Sequence, residues 1–249
     1  MTEPVAPASA LYHQLTLLDR DRHAQLRVPP VTDWRIASAM NAVFVSAVEF
    51  ADVAREFPIA FVPLEQDADG KAVITPVALL GLRDRDNLFV DAEGRWSARY
   101  LPAFLRRYPF AYVRTDSERL SLALDEGWQG VNTAEGEALF DAQGEPTEYL
   151  QSVLKFLDRF EEETVRTRLM CARLVDLELL RSGEINGKLD NGMDVNASGF
   201  FMIDEAKLAN LPEAVVLELH RNGILGLIHA HLISMGQVQA LAQRMAARG

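Results

Sequence analysis

The sequence predicts an α+β fold: a β-rich N-terminal part of short strands, then a long helix, a β-hairpin and a buried C-terminal helix. Three observations predict it. Up to about Arg114 the apolar residues come in short runs broken by Pro, Gly and Asp. From Tyr149 to about Leu180 they recur at helical spacing with no Gly or Pro inside. Between Glu213 and Arg248 a helical stretch is apolar on nearly all sides in its middle, as a buried or interface helix is.

The short runs are Ala24–Val28, Ile59–Glu65, Ala72–Leu82 and Asn87–Glu93. Gln66-Asp67-Ala68-Asp69-Gly70-Lys71 lies between the second and third, and Asp-Gly is a hairpin signal because the tight turn needs positive φ. Asp91-Ala92-Glu93-Gly94-Arg95-Trp96 repeats that logic. Asn41 to Phe57 carries helical spacing that Pro58 stops, and Ala98 to Tyr108 predicts another short helix. Residues 117–148 are polar and Gly-rich, which predicts connecting structure with a short strand around Leu120 to Leu124.

Thr147 is placed to cap the long helix, with Glu148 favourable in its first turn. Ser182-Gly183 is its expected end. Asp190-Asn191-Gly192 then signals a hairpin turn. Asp204 caps a short helix that Leu211-Pro212 interrupts, and Glu213 to Arg248 reads as one last helix with Pro212 at its start. Gly223, Gly226 and Gly236 each cost about 1 kcal/mol against alanine in a helix, so close helix–helix approach is the expected reason for them. No internal repeat is evident.

The chain has 249 residues and a net charge of −11. That length buries a sizeable core. The acidity argues against nucleic acid or anionic lipid as the main partner, because both recruit basic surfaces. Cys171 is the only cysteine, which excludes an intrachain disulfide and the common Cys-based zinc sites. The first residues lack the basic and apolar regions of a secretory signal. The apolar run Ile224–Met235 is too short for a membrane span and contains His229 and His231. A cytoplasmic protein is expected, with leaderless export to the cell surface as the alternative.

Signals for chemistry are sparse. No Gly-rich phosphate loop and no GxSxG elbow occurs, and no cofactor is expected. On one helix His220 and His231 would lie about 16 Å apart, and His229 and His231 would point to opposite sides, so core or interface histidines are expected instead of a metal site. Asp190, Asn191, Asp194 and Asn196 offer oxygen ligands without the spacing of a calcium loop. Glu161, Glu162 and Glu163 read as a solvated helix face. Cys171 reads as a small buried hydrophobe.

Gly94 to Phe110 is the segment most suited to binding. It mixes Arg95, Arg106 and Arg107 with Trp96 and Tyr100, and arginine beside aromatics suits carboxylate, phosphate or sugar recognition. Those five residues, with Glu49 and Arg83 as neighbours, are the candidate ligand-binding set. The alternative is that the aromatics pack in the core while the arginines pair with the protein's own carboxylates.

Leu18–Val28, Phe44–Val62, Pro76–Phe110, Glu137–Leu150 and Phe200–Gly236, in that order, resemble the SapC family of bacterial proteins. The resemblance covers nearly the whole chain. It implies one full-length module, with residues 10–116 as the β-rich part, 117–148 connecting, and 149–249 helical with a hairpin near 184–203. It implies a setting in surface-layer or envelope physiology, where a non-catalytic binding or assembly role is expected. The alternative it implies is a cytoplasmic enzyme or accessory subunit acting on a small or peptidic substrate, linked to flavin-dependent halogenase-like proteins or TonB-dependent uptake. It carries over no catalytic residue. Expected partners are a second copy through the C-terminal helix and a small anionic ligand.

Overall fold

In the computed structural model, which describes residues 11–66, 72–115, 120–188, 192 and 194–248, antiparallel sheets share one long helix. The strands are β1 (Leu15–Leu17), β2 (Arg27–Val28), β3 (Ala42–Phe44), β4 (Ile59–Gln66), β5 (Ala72–Leu79), β6 (Phe110–Arg114), β7 (Leu120–Asp125), β8 (Glu137–Ala138), β9 (Leu180–Lys188) and β10 (Asp194–Ile203). The α-helices are α1 (Phe50–Val53), α2 (Ala103–Arg106), α3 (Glu148–Asp176), α4 (Glu205–Ala209), α5 (Glu213–Arg221), α6 (Ile224–Ser234) and α7 (Gln237–Arg248). Strands and helices are thus mixed as an α+β fold requires.

The main sheet runs β3-β5-β4-β10-β9, so the C-terminal hairpin completes a sheet begun by N-terminal strands. The apolar runs at 59–66 and 72–79 pair antiparallel as expected, with Phe61 opposite Pro76 and Val62 opposite Thr75. The turn residues 67–71, and Asp190 and Asn191 of the second hairpin, lie outside the described residues. Pro63 has no N–H to give a neighbour. Pairing in β4 shifts between Pro63 and Glu65, and its ladder with β10 is confined to Phe61 opposite Phe201.

Strand alternation gives the main sheet two faces. Phe44, Val62, Thr75 and Val77 share the face under α3, where Phe44 meets Phe160 edge-on at 5.8 Å. Phe61 is on the other face, packed against Phe50 and His231. The small sheet β1-β7-β6 and the pair β2-β8 lie beyond, under the first half of α3. Leu150 and Leu157 join the smaller core of Phe110, Leu124 and Leu139, while Phe160, Met170 and Leu174 join the main one. At 29 residues, about 44 Å, α3 is long enough to serve both.

Thr147 caps α3 as expected, its Oγ1 accepting from Leu150 N at 3.3 Å. The helix ends earlier than Ser182-Gly183 predicts. Glu178 adopts φ +51, and Leu179 N–H returns to Leu174 O at 3.0 Å, a Schellman closure with glutamate where glycine is usual. Gly183 instead sits inside β9 opposite Phe200, whose ring would lie 2.2 Å from an added Cβ. The helix expected over 41–57 is also corrected. Ala42–Phe44 is strand β3, and only a 3₁₀ turn and the four-residue α1 follow it.

The expected single last helix is three. Gly223, at φ +82, separates α5 from α6, and Met235-Gly236 separates α6 from α7. Close helix approach is not the reason for Gly223 or Gly226, since an added Cβ at either meets nothing within 4 Å. Gly223 is required by its backbone. Ile224–Arg248, which spans α6 and α7, is apolar and long enough, by length and composition only, to cross a bilayer, and 22% of its most apolar window is buried. In this fold α6 is tied to the main sheet by polar atoms. Ser234 Oγ accepts from Ile59 N at 2.9 Å, and His231 bridges Ile59 O at 2.8 Å and Ile203 N at 3.1 Å.

Candidate functional site

Glu49 is the polar centre of the arginine–aromatic region. It ends the 3₁₀ turn Ala47–Glu49, and its side chain turns back onto Ser46. Oε2 accepts from Ser46 N at 2.9 Å and Ser46 Oγ at 2.8 Å. Oε1 accepts from the Tyr100 hydroxyl at 2.8 Å and Ala103 N at 2.7 Å. Glu49 is only 4% exposed, so these four donors replace the water its carboxylate has lost. Burial, then the Glu49 charge, pushes the Tyr100 phenol well above its ordinary value.

Arg106 extends this group, its guanidinium donating to the Tyr100 hydroxyl at 3.4 Å and lying 5.7 Å from that ring and 5.5 Å from Phe156. Arg107 follows it as the C-cap of the one-turn helix α2, still in helical conformation. Successive helical residues point about 100° apart, and Arg107 leaves the Glu49 group for the space between α3 and the main sheet. Its guanidinium carbon lies 4.4 Å from the Phe104 ring centre, 4.8 Å from Phe160 and 5.8 Å from Tyr12. Its Nε is buried with no hydrogen-bond partner.

A cavity of about 280 Å³ opens there. Its apolar wall includes Phe44, Val62 and Val77 of the sheet and Phe104 and Phe160 of the helices. Polar groups come from Thr75, Arg107 and three residues of α3: Glu161, Thr164 and Arg168. Phe160, Thr164 and Arg168 are four residues apart in turn, which brings them to one side of α3. The cavity is therefore apolar within and carries two arginines against one carboxylate.

The structure brings Glu49, Tyr100 and Arg106 together and sets Arg107 beside them, facing the cavity. The other expected residues lie elsewhere. Arg95 is exposed and bonds Asp91 at 2.8 Å and Glu93 at 3.0 Å within its own turn. Trp96 stacks on Phe89 at 5.9 Å and donates Nε1–H to Tyr100 O at 2.9 Å. Arg83 borders a separate polar hollow with Asp84, Asp86 and Arg248. The sequence reading missed Thr75, Thr164 and Arg168. The four-residue spacing on α3 was a usable signal, but the sheet face it meets was not visible until β3 was known to be a strand.

Other reactive side chains are committed to the fold. Burial pushes the Cys171 thiol up to about 12. Burial also lowers His231 to about 4, so its neutral ring donates from Nδ1 to Ile59 O and accepts at Nε2. His220 and His229 are exposed on α5 and α6. No group of three or more His, Cys, Asp or Glu that could hold a metal occurs among the described residues.

No curated protein and no solved structure matches the chain in comparisons with known proteins. A family model does match, over residues 18–241, through both cores and every element that forms the cavity, and on that match the chain belongs to the SapC family.

Proposed function

We propose that the protein is a non-catalytic binding protein of bacterial surface-layer or envelope physiology that holds a small anionic ligand between α3 and the main sheet. One observation carries the reading: an apolar cavity of about 280 Å³ bordered by Arg107, whose Nε is buried and unpaired. Ligand sites are typically apolar hollows with a few placed polar groups. A catalytic role for Glu49 would need one of its oxygens free to move a proton. Glu49 is the buried carboxylate of this region, and both its oxygens are occupied. We place the protein in the cytoplasm, with leaderless export as the alternative.

Native mass spectrometry of the protein purified from its own host tests this against the denatured mass. A retained anionic small molecule supports the reading. An apo protein that also binds no anion at millimolar concentration overturns it.

Self-assembly through the C-terminal helices is a second part of the proposal. Val216, Leu217 and Ile233 are 36%, 47% and 71% exposed there, and Gly226 faces open space. Exposed apolar surface of this kind favours a second copy. Light scattering over a hundredfold concentration range tests it, and a monomer throughout would sink it.

A further inference from the structure

The geometry points to an amphipathic monoanion, a carboxylate on an unbranched chain of about eight to ten non-hydrogen atoms, as the ligand class of the α3 cavity. The inference rests on the binding role proposed above and adds the chemistry of the ligand. Two features select an anionic head. Arg107 and Arg168 both border the cavity, and neither forms an ion pair with a described residue, whereas Arg95, Arg166 and Arg173 each do. Among the described residues Glu161 is the one carboxylate on the lining, so they give the site a net positive charge in a chain of net charge −11.

Arg107 also fixes how a head group would approach. Phe104 and Phe160 lie within 5 Å of its guanidinium carbon, so aromatic surface occupies much of its surroundings. The Nε–H remains without an acceptor. A guanidinium presents its donors along its edge, and a planar carboxylate matches two of them at once. Arg168 is exposed at the outer part of the cavity, where it can screen the same charge without being desolvated.

The tail is selected by the rest of the wall. Phe44, Val62 and Val77 offer no donor or acceptor, and Thr75 beside them and Thr164 across from them offer one hydroxyl each, so a sugar or a dicarboxylate would leave most of its polar atoms unpaired there. The volume of about 280 Å³ corresponds to about nine waters at ~30 Å³ each. That sets the chain length and excludes long-chain lipids from full enclosure.

The experiment is calorimetric titration of the full-length protein with a series from butanoate to dodecanoate, with octan-1-ol, acetate and inorganic phosphate as probes. Affinity should rise about fourfold per methylene and level off at about six to eight carbons, which with the two carboxylate oxygens make the eight to ten non-hydrogen atoms. Arg107→Met, which keeps the stem and removes the charge, should weaken octanoate tenfold or more and leave octan-1-ol unchanged. If that variant does not fold, Arg168→Gln and the cavity-filling Val77→Phe carry the test, the latter shortening the preferred chain. Binding of acetate or phosphate as tightly as octanoate would overturn the ligand class and leave the anion-binding role standing. Binding of octan-1-ol equal to octanoate would overturn the part given to Arg107. No binding of any probe would overturn both.

Discussion

Tyr100 donates its hydroxyl to Glu49 across 2.8 Å, joining the 3₁₀ turn after β3 to the loop that leads into α2. The neighbouring bond from Ala103 N fixes the start of α2 on the same oxygen. Glu49 thereby decides where Arg106 and Arg107 begin, although it does not line the cavity itself.

Removing that carboxylate strands buried donors. Glu49→Gln is expected to cost about 3 kcal/mol, since an amide can accept at one end only and places its own donors against Ser46 or Ala103. Tyr100→Phe removes one donor of four and should cost about 1 kcal/mol. Urea unfolding of both variants checks the order. Equal, sub-kilocalorie losses would show that the network is not a staple.

His231 sets a pH dependence with a definite sign. Its folded value is depressed to about 4, below the ordinary 6.5, by burial first, against the bond to Ile59 O. Between those values the unfolded chain binds a proton that the folded chain refuses. Stability from this residue is therefore full above about 6.5 and is lost as pH falls towards 4, by about 3 kcal/mol in all. Unfolding midpoints at pH 7 and 4.5 should fall further in the wild type than in His231→Gln. Parallel losses would remove His231 as the cause.

Cys171 is 2% exposed on α3 and its thiol is raised by burial to about 12. A thiol-specific disulfide reagent at pH 8 should label the native protein at least a hundredfold more slowly than the urea-unfolded chain, because the thiolate is scarce and covered. Fast native labelling would mean that this part of α3 opens readily.

Gly226 and Gly223 should respond in opposite directions. Gly226 is inside α6 with open space around it, so Gly226→Ala is expected to stabilise by about 0.5–1 kcal/mol. Gly223 holds φ +82, and Gly223→Ala should destabilise by about 1 kcal/mol. Thermal melts settle both. A loss at Gly226 accompanied by dissociation of an oligomer would mean that a second copy covers that face.

What the sequence made legible follows from how local each signal is. Thr147 and Asp204 cap helices through bonds to residues two or three positions away, and both were readable. Phe61 opposite Pro76 closes over a short loop, and flanking apolar runs gave it away. Ala42–Phe44 was misread because its partners, Val77 to Leu79, are distant, and a long-range ladder overrode the helical spacing that extends to Phe57. Gly223 was visible, but a glycine in an apolar run reads equally as a close approach or a break. Of the candidate site, the Glu49–Tyr100–Arg106 group was named from residue type alone. Arg168 was not, because nothing near it in sequence shows that a sheet face lies across from it.

The middle position of β4 has a consequence for synthesis. Its far neighbour β10 begins at Asp194, long after Gln66 has been made. At ribosomal speeds the gap is on the order of ten seconds. During that time the nascent chain carries one side of β4 unpaired, a template for another such strand. Pro63 lies on that strand, and a residue without an N–H makes a poor template for a stranger. The same proline that limits the finished ladder to Phe61 and Phe201 thus guards the unfinished one, and a message cut before codon 194 would release a chain with little else to protect that edge.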